Sequence, residues 1–162
     1  MNSVLYIVLT LSFFIGGCET DDNNNSSPNT NIVTESDEAK VVSVNITGEA
    51  TNYTFNVGVQ SPDTGCDQYA DWWEIVTEEG ELIHRRILAH SHVSEQPFVR
   101  SGSAINITEN QILIIRAHMN NTGYGTQVFK GSVSAGFNEE RVATTFANNL
   151  ATSDPLPNNC AF

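Results

Sequence analysis

From Lys40 onward the chain alternates apolar and polar residues with a period of two, in short runs broken by turn-forming residues. That pattern restricts the fold more than any other feature, because a strand sends successive side chains to opposite faces while a helix repeats every 3.6 residues. Val42, Val44 and Ile46 share one side of a first strand that ends near Gly48, and Tyr53, Phe55, Val57 and Val59 mark a second. Ser61-Pro62-Asp63-Thr64-Gly65 closes it, since proline, aspartate and glycine each favour turn geometry. Trp73 and Ile75 carry a third strand, Glu78-Glu79-Gly80-Glu81 reads as a hairpin turn, and residues 82–89 return as a fourth. Residues 98–100 and 105–107 are short candidates, residues 112–119 the strongest run, and 127–133 the last. A helical pattern surfaces only weakly, near residues 139–150.

About seven short strands at this spacing predict an all-β domain, an antiparallel β-sandwich that resembles the immunoglobulin and fibronectin folds in outline. A tryptophan on the third strand, Trp73, fits that outline; the inter-sheet cysteine spacing of the immunoglobulin family is absent. At 162 residues the chain has room for one such domain and appendages. Its formal net charge of -12 argues against a nucleic-acid partner, which needs a basic footprint. The charge is unevenly placed. Glu19, Asp21, Asp22, Glu35, Asp37 and Glu38 all precede the first basic residue, Lys40, whereas Arg85, Arg86, Arg100, Arg116 and all four histidines fall in one stretch.

The first residues form a leader. An apolar run over residues 4–15 is too short for a spanning helix of about 20 residues but has signal-peptide length. It ends in Ile15-Gly16-Gly17-Cys18, which resembles the lipobox of bacterial lipoproteins, although Met1-Asn2-Ser3 lacks the usual basic residue. That resemblance implies a signal peptide over residues 1–17, lipidation of Cys18 and attachment to a lipid bilayer through the acyl chains. The following Glu-Thr-Asp-Asp-Asn-Asn-Asn is similar to the acidic segment of surface-exported lipoproteins in Bacteroidetes-type bacteria, which implies the cell envelope, an outer-membrane anchor and surface display. Residues 18–38, the lipidated cysteine and an Asn-, Ser- and Asp-rich stretch with little to bury, read as a disordered tether, leaving 39–162 as the folded domain. In an oxidising compartment the two remaining cysteines, Cys66 and Cys160, are expected to pair, because neither sits in a metal-binding spacing.

The candidate chemistry follows from the alternation. Trp73 and Ile75 inward leave Trp72 and Glu74 outward; Leu113, Ile115, Ala117 and Met119 inward leave Arg116 and His118 outward. With Ile83, Ile87 and Ala89 inward on the fourth strand, His84, Arg86 and His90 face out, so one sheet face is expected to collect Trp72, Glu74, Arg86, His90, His92, Arg116 and His118. His90-Ser91-His92 is the sharpest local motif: residues i and i+2 of a strand project to one side roughly 7 Å apart and can share an ion. With His118 they would make a three-histidine set suited to zinc or copper. Structural capping by the same histidines, and surface ion pairs for the arginines, compete with that reading.

The arginines offer instead an anion site for a carboxylate or a sulfated sugar, and Trp72 beside Glu74, Arg86 and Arg116 offers a stacking platform for a glycan. The sequence holds no Gly-x-Ser-x-Gly elbow, His-Glu-x-x-His helix or phosphate-cradling glycine loop, so a binding domain is favoured over an enzyme. An envelope hydrolase stays as a third reading because triads assemble from distant positions. The expected partner is thus a metal ion, a glycan or another envelope protein.

Overall fold

The computed structural model describes residues 37–161; the leader, Cys18 and the tether up to residue 36 lie outside the described residues. Nine strands are described: β1 (Lys40–Glu49), β2 (Asn52–Gln60), β3 (Ala70–Thr77), β4 (Leu82–Ile87), β5 (Phe98–Ile105), β6 (Leu113–Met119), β7 (Gly123–Tyr124), β8 (Gln127–Ser132) and β9 (Gly136–Arg141). They form two antiparallel sheets, one ordered β1-β2-β5 and the other β4-β3-β6-β8-β9, with β7 pairing the end of β6. The fold is an all-β sandwich, with more strands than the roughly seven expected. The two short candidates at residues 98–107 merge into β5. The weak helical pattern instead splits between β9 and a short 3-10 helix, Asn148–Thr152.

Alternation places the core as expected. Tyr53, Phe55, Val57 and Val59 on β2 face Trp73 and Ile75 on β3 and Leu113, Ile115, Ala117 and Met119 on β6, all buried in one cluster. On β1 a register shift between Val41 and Ser43 puts Val41, fully buried, at the head of the inward row, with Val44 and Ile46 packed behind it.

The opposite face of the larger sheet is where expectation and structure part. Every residue of β3 and of β6 is buried, so both faces of these central strands are covered. A second apolar cluster of Trp72, Val76, Ile114, Tyr124 and Val128 lies on this face. Leu150, Phe146 and Val142 from the chain after β9 pack against it. The C-terminal segment therefore forms a third layer. Its end is fastened by the Cys66–Cys160 disulfide, whose partners lie 94 residues apart in sequence. Glu38, expected to close the tether, is instead buried, and its carboxylate accepts from the backbone N–H and hydroxyl of Thr126 at 2.9 and 2.8 Å.

Candidate functional site

Two places gather the residues that the sequence singled out. The first is the covered face of the larger sheet. Glu74 on β3 is paired in register with Arg85 on β4 and with Arg116 on β6, so three charges lie in one line across adjacent strands. Arg85 donates through Nε to Glu74 Oε2 at 2.7 Å and Arg116 through Nε to Oε1 at 2.8 Å; the side chains are at most 1% exposed. The remaining guanidinium N–H groups reach the C-terminal layer. Arg85 donates to the carbonyls of Leu150, Ser153 and Pro155, and Arg116 to those of Phe146 and Ala147. Their flat faces lie on aromatic rings, Arg116 Cζ 3.5 Å from the Tyr124 centroid and Arg85 Cζ 4.4 Å from that of Trp72. Burial, then the nearby Glu74 carboxylate, pushes the Tyr124 hydroxyl up to about 12.

This arrangement corrects three expectations. Trp72 is 2% exposed and cannot serve as a stacking platform; its ring lies 3.7 Å from that of His118, parallel within 9°. Glu74 and Arg116 meet each other and the C-terminal layer, with no surface left for a ligand. Arg86 does not join them. Val76 pairs with Leu82 while Ile75 pairs with His84, so Ile83 is an extra residue on β4; it packs into the inner core, whereas Ile87 packs under the C-terminal layer. The bulge turns Arg85 toward Glu74 and sends His84 and Arg86 the other way.

The expected three-histidine set is not assembled either. His118 belongs to the covered face, where its Nδ1 lies 2.7 Å from Asp71 Oδ1. His90 and His92 lie beyond the end of β4, on the connection to β5, with ring centroids 4.6 Å apart. Among the described residues no group of three or more His, Cys, Asp or Glu side chains converges on a metal position.

The second place is the mouth between the edge strands β4 and β5, a cleft of about 100 Å³ lined by Arg86, His90, His92 and Arg100 with the chain from Ile87 to Ala89. Asp63 positions its key residue. This buried carboxylate accepts from the backbone N–H of Ala70 at 3.0 Å and of His92 at 2.7 Å, tying the loop to the second turn of the chain. The His92 ring then stacks on Phe98 at 3.7 Å. His92 is 3% exposed, yet neither ring nitrogen has a hydrogen-bond partner, and Nδ1 stands 3.9 Å from Asp63 Oδ2. Burial holds its pKa below the ordinary histidine value, with Arg100 and His90 acting the same way and Asp63 and Glu95 against. Arg86 donates to the carbonyls of Ser101 and Ile87, and Arg100 pairs with the exposed Glu95 at 2.9 Å. A buried polar atom without a partner costs about 1–3 kcal/mol; the indole nitrogens of Trp72 and Trp73 and Nε2 of His84 also lack one, and His92 differs from them in lining a cleft.

Alternation points to neither the role of Asp63 nor the face of Arg85, although the Arg85–Glu74 pair fits the ion-pair expectation for the arginines. Asp63 was read as turn chemistry, and Arg85 had no face assigned to it.

No family model matches the chain, and no solved structure matches it. A protein of Halomicrobium mukohataei named "Putative lipoprotein" is 37% identical over 103 residues, 61% of this chain and 49% of that relative, so the chain spans about half the relative's length.

Proposed function

We propose that the chain is an envelope lipoprotein whose β-sandwich is a binding module, taking an anionic group of a glycan, a carboxylate or a sulfate, in the cleft between β4 and β5. The observation that carries the binding reading is His92: a buried imidazole with two unpartnered nitrogens, in a cleft that also holds two guanidiniums. An anion supplies acceptors to the guanidiniums and to whichever imidazole nitrogen carries the proton, and an arginine fork suits planar oxygen pairs. The same two guanidiniums oppose a bound cation, and this favours an anion over zinc or copper even though His90 and His92 are neighbours. The anchor rests on the Ile15-Gly16-Gly17-Cys18 motif and agrees with the name of the Halomicrobium relative.

Calorimetric titration of the mature chain with sulfated, carboxylated and neutral oligosaccharides tests the module. Binding of a charged sugar that is lost in Arg86→Ala and in His92→Gln is expected. Equal binding of the neutral sugar, or no effect of either variant, refutes the anion site. Stoichiometric zinc or copper binding that disappears in a His90→Ala/His92→Ala double variant would replace it with a metal site. For the anchor, Cys18→Ser is expected to move the chain from the membrane fraction to the soluble fraction.

A further inference from the structure

Four Asn-x-Thr triplets lie within the described domain: Asn45-Ile46-Thr47, Asn52-Tyr53-Thr54, Asn106-Ile107-Thr108 and Asn120-Asn121-Thr122. In an exported chain such a triplet is an acceptor for an N-linked glycan, provided the carboxamide is exposed and free. The structure divides the four. Asn120 is committed: its Oδ1 accepts from the backbone N–H of Tyr69 at 3.0 Å, and its Nδ2 donates to the carbonyl of Cys66 at 2.9 Å. Asn45, Asn52 and Asn106 are exposed and make no side-chain hydrogen bond among the described residues.

These three belong to one sheet. Asn45 lies in the middle of β1, Asn52 opens β2, and Asn106 directly follows β5. Tyr53 pairs with Ile105, and the Thr51 N–H donates to the Ile107 carbonyl at 3.1 Å, so Asn52 and Asn106 lie at the same end of the sheet. On β1 the exposed Ser43, Asn45 and Thr47 alternate with Val44 and Ile46, which pack against the core. Asn45 and Thr47 thus share the outer face, side by side.

A second observation points the same way. An edge strand presents unpaired backbone groups to any other strand, and folded proteins guard such edges with charge, proline or short length. β1 is an edge strand of 10 residues, and its only charged side chains, Lys40 and Glu49, are its two terminal residues. Asn45, Thr47, Asn56 and Ser101 continue an uncharged face across the sheet. Among the described residues the Gln127 amide donates to the Val41 carbonyl near one end of β1, and a sugar on Asn45 would stand at the centre of the uncharged remainder of the edge.

We infer that Asn45, Asn52 and Asn106 are N-glycosylation sites, and that the glycans shield the outer face and open edge of the three-stranded sheet while Asn120 stays bare. The inference rests on the export reading above. The donor is a lipid-linked oligosaccharide. The carboxamide nitrogen bonds to C1 of its first sugar, the bond from C1 to the phosphate oxygen breaks, the lipid phosphate or diphosphate leaves, and one amide proton passes to a base.

The test is peptide mass spectrometry on the full chain isolated from the cell that makes it, with the membrane and soluble fractions analysed separately. Cleavage after Glu49 separates Asn45 from Asn52. A shared mass increment of sugar units on the peptides of Asn45, Asn52 and Asn106, and none on that of Asn120, is expected. Thr47→Ala should strip Asn45 alone, and Thr47→Ser should restore it. Bare peptides at all three positions in membrane-bound protein overturn glycosylation and leave the export reading standing; bare peptides in a protein confined to the soluble cytoplasmic fraction overturn both. Modification of Asn120 with the other three bare refutes the assignment of sites.

Discussion

Substituting Glu74 by glutamine tests how the C-terminal layer is held. The carboxylate accepts from Arg85 on one oxygen and Arg116 on the other, with all three side chains at most 1% exposed. Removing one partner of a buried ion pair costs about 3–5 kcal/mol, because the remaining charge can neither reach water nor find another counter-ion. Here two guanidiniums are left facing each other across a neutral amide. The carbonyls of residues 146–155 and the rings of Tyr124 and Trp72 still solvate them in part, so the lower half of that range is expected.

Against a total stability of about 5–15 kcal/mol for a domain, a loss of about 3–4 kcal/mol is large. With a urea slope of about 2 kcal/mol per molar, it lowers the unfolding midpoint by about 2 M. The assay is equilibrium urea unfolding of the disulfide-bonded chain, followed by tryptophan fluorescence, because Trp72 lies under the same layer. Chymotrypsin should also cut sooner at Phe146 and Leu150. A midpoint shift below about 0.5 M, with Phe146 and Leu150 still protected, would refute the claim that Glu74 organises this face.

Two further outcomes follow from particular contacts. Cys160→Ser opens a loop whose ends are 94 residues apart and should lower stability by about 4–5 kcal/mol at most on the chain-entropy model; an unchanged guanidinium midpoint would show that the disulfide does not restrain the unfolded chain. Gly102→Ala places a methyl 2.7 Å from the Trp73 ring and against His84, so overpacking should cost about 1–3 kcal/mol, and a stabilised variant would disprove the close approach of β4, β3 and β5.

His84 and His92 both have pKa values lowered in the fold, chiefly by burial. As pH falls below about 6.5 the unfolded chain takes up these protons before the folded one, so stability should drop between pH 7.5 and 5.5 and flatten in a His84→Gln/His92→Gln variant. The cleft should respond in the opposite sense. An anion stabilises the protonated imidazole, so affinity for a sulfated sugar should rise on acidification, by up to about tenfold per pH unit if one proton is taken up; a fall would exclude His92 as a donor to the ligand.

The face assignment on β3 and β6 was readable from alternation alone: Trp72, Glu74, Arg116 and His118 do share a side. Their exposure was not. A polar face is taken to meet water because burying charge is costly, and nothing local to β3 or β6 says that a distant segment will supply carbonyls to two arginines. That segment, residues 142–155, has neither strong alternation nor a helical stripe, since it is held by its carbonyls and by the few apolar contacts of Val142, Phe146 and Leu150. The one long-range hint was Cys160, which had to reach Cys66 and so bring the end of the chain across the domain.

The His90-Ser91-His92 motif failed as a strand reading for a different reason, and the failure relocates the candidate site. β4 ends at Ile87, and the Leu88 N–H turns to the Asp71 carbonyl. The two histidines therefore sit on a loop, where i and i+2 need not point alike: His90 is exposed while His92 is drawn in by Asp63 and Phe98. Meanwhile the bulge at Ile83 turns Arg86 away from the covered face toward the mouth between the sheets. Each displacement is a break in strand regularity of one or two residues, and together they convert an expected metal face into a cleft that holds an unpartnered imidazole beside two guanidiniums. Mutating the bulge tests this directly. Deleting Ile83 excises the extra residue and leaves Leu82 on Val76 and Arg85 on Glu74 in one regular ladder, so the Glu74 pairing and anion binding should both persist while the inner core loses the Ile83 side chain. Loss of both would show that the bulge itself, and not the pairing on either side of it, decides where Arg85 and Arg86 point.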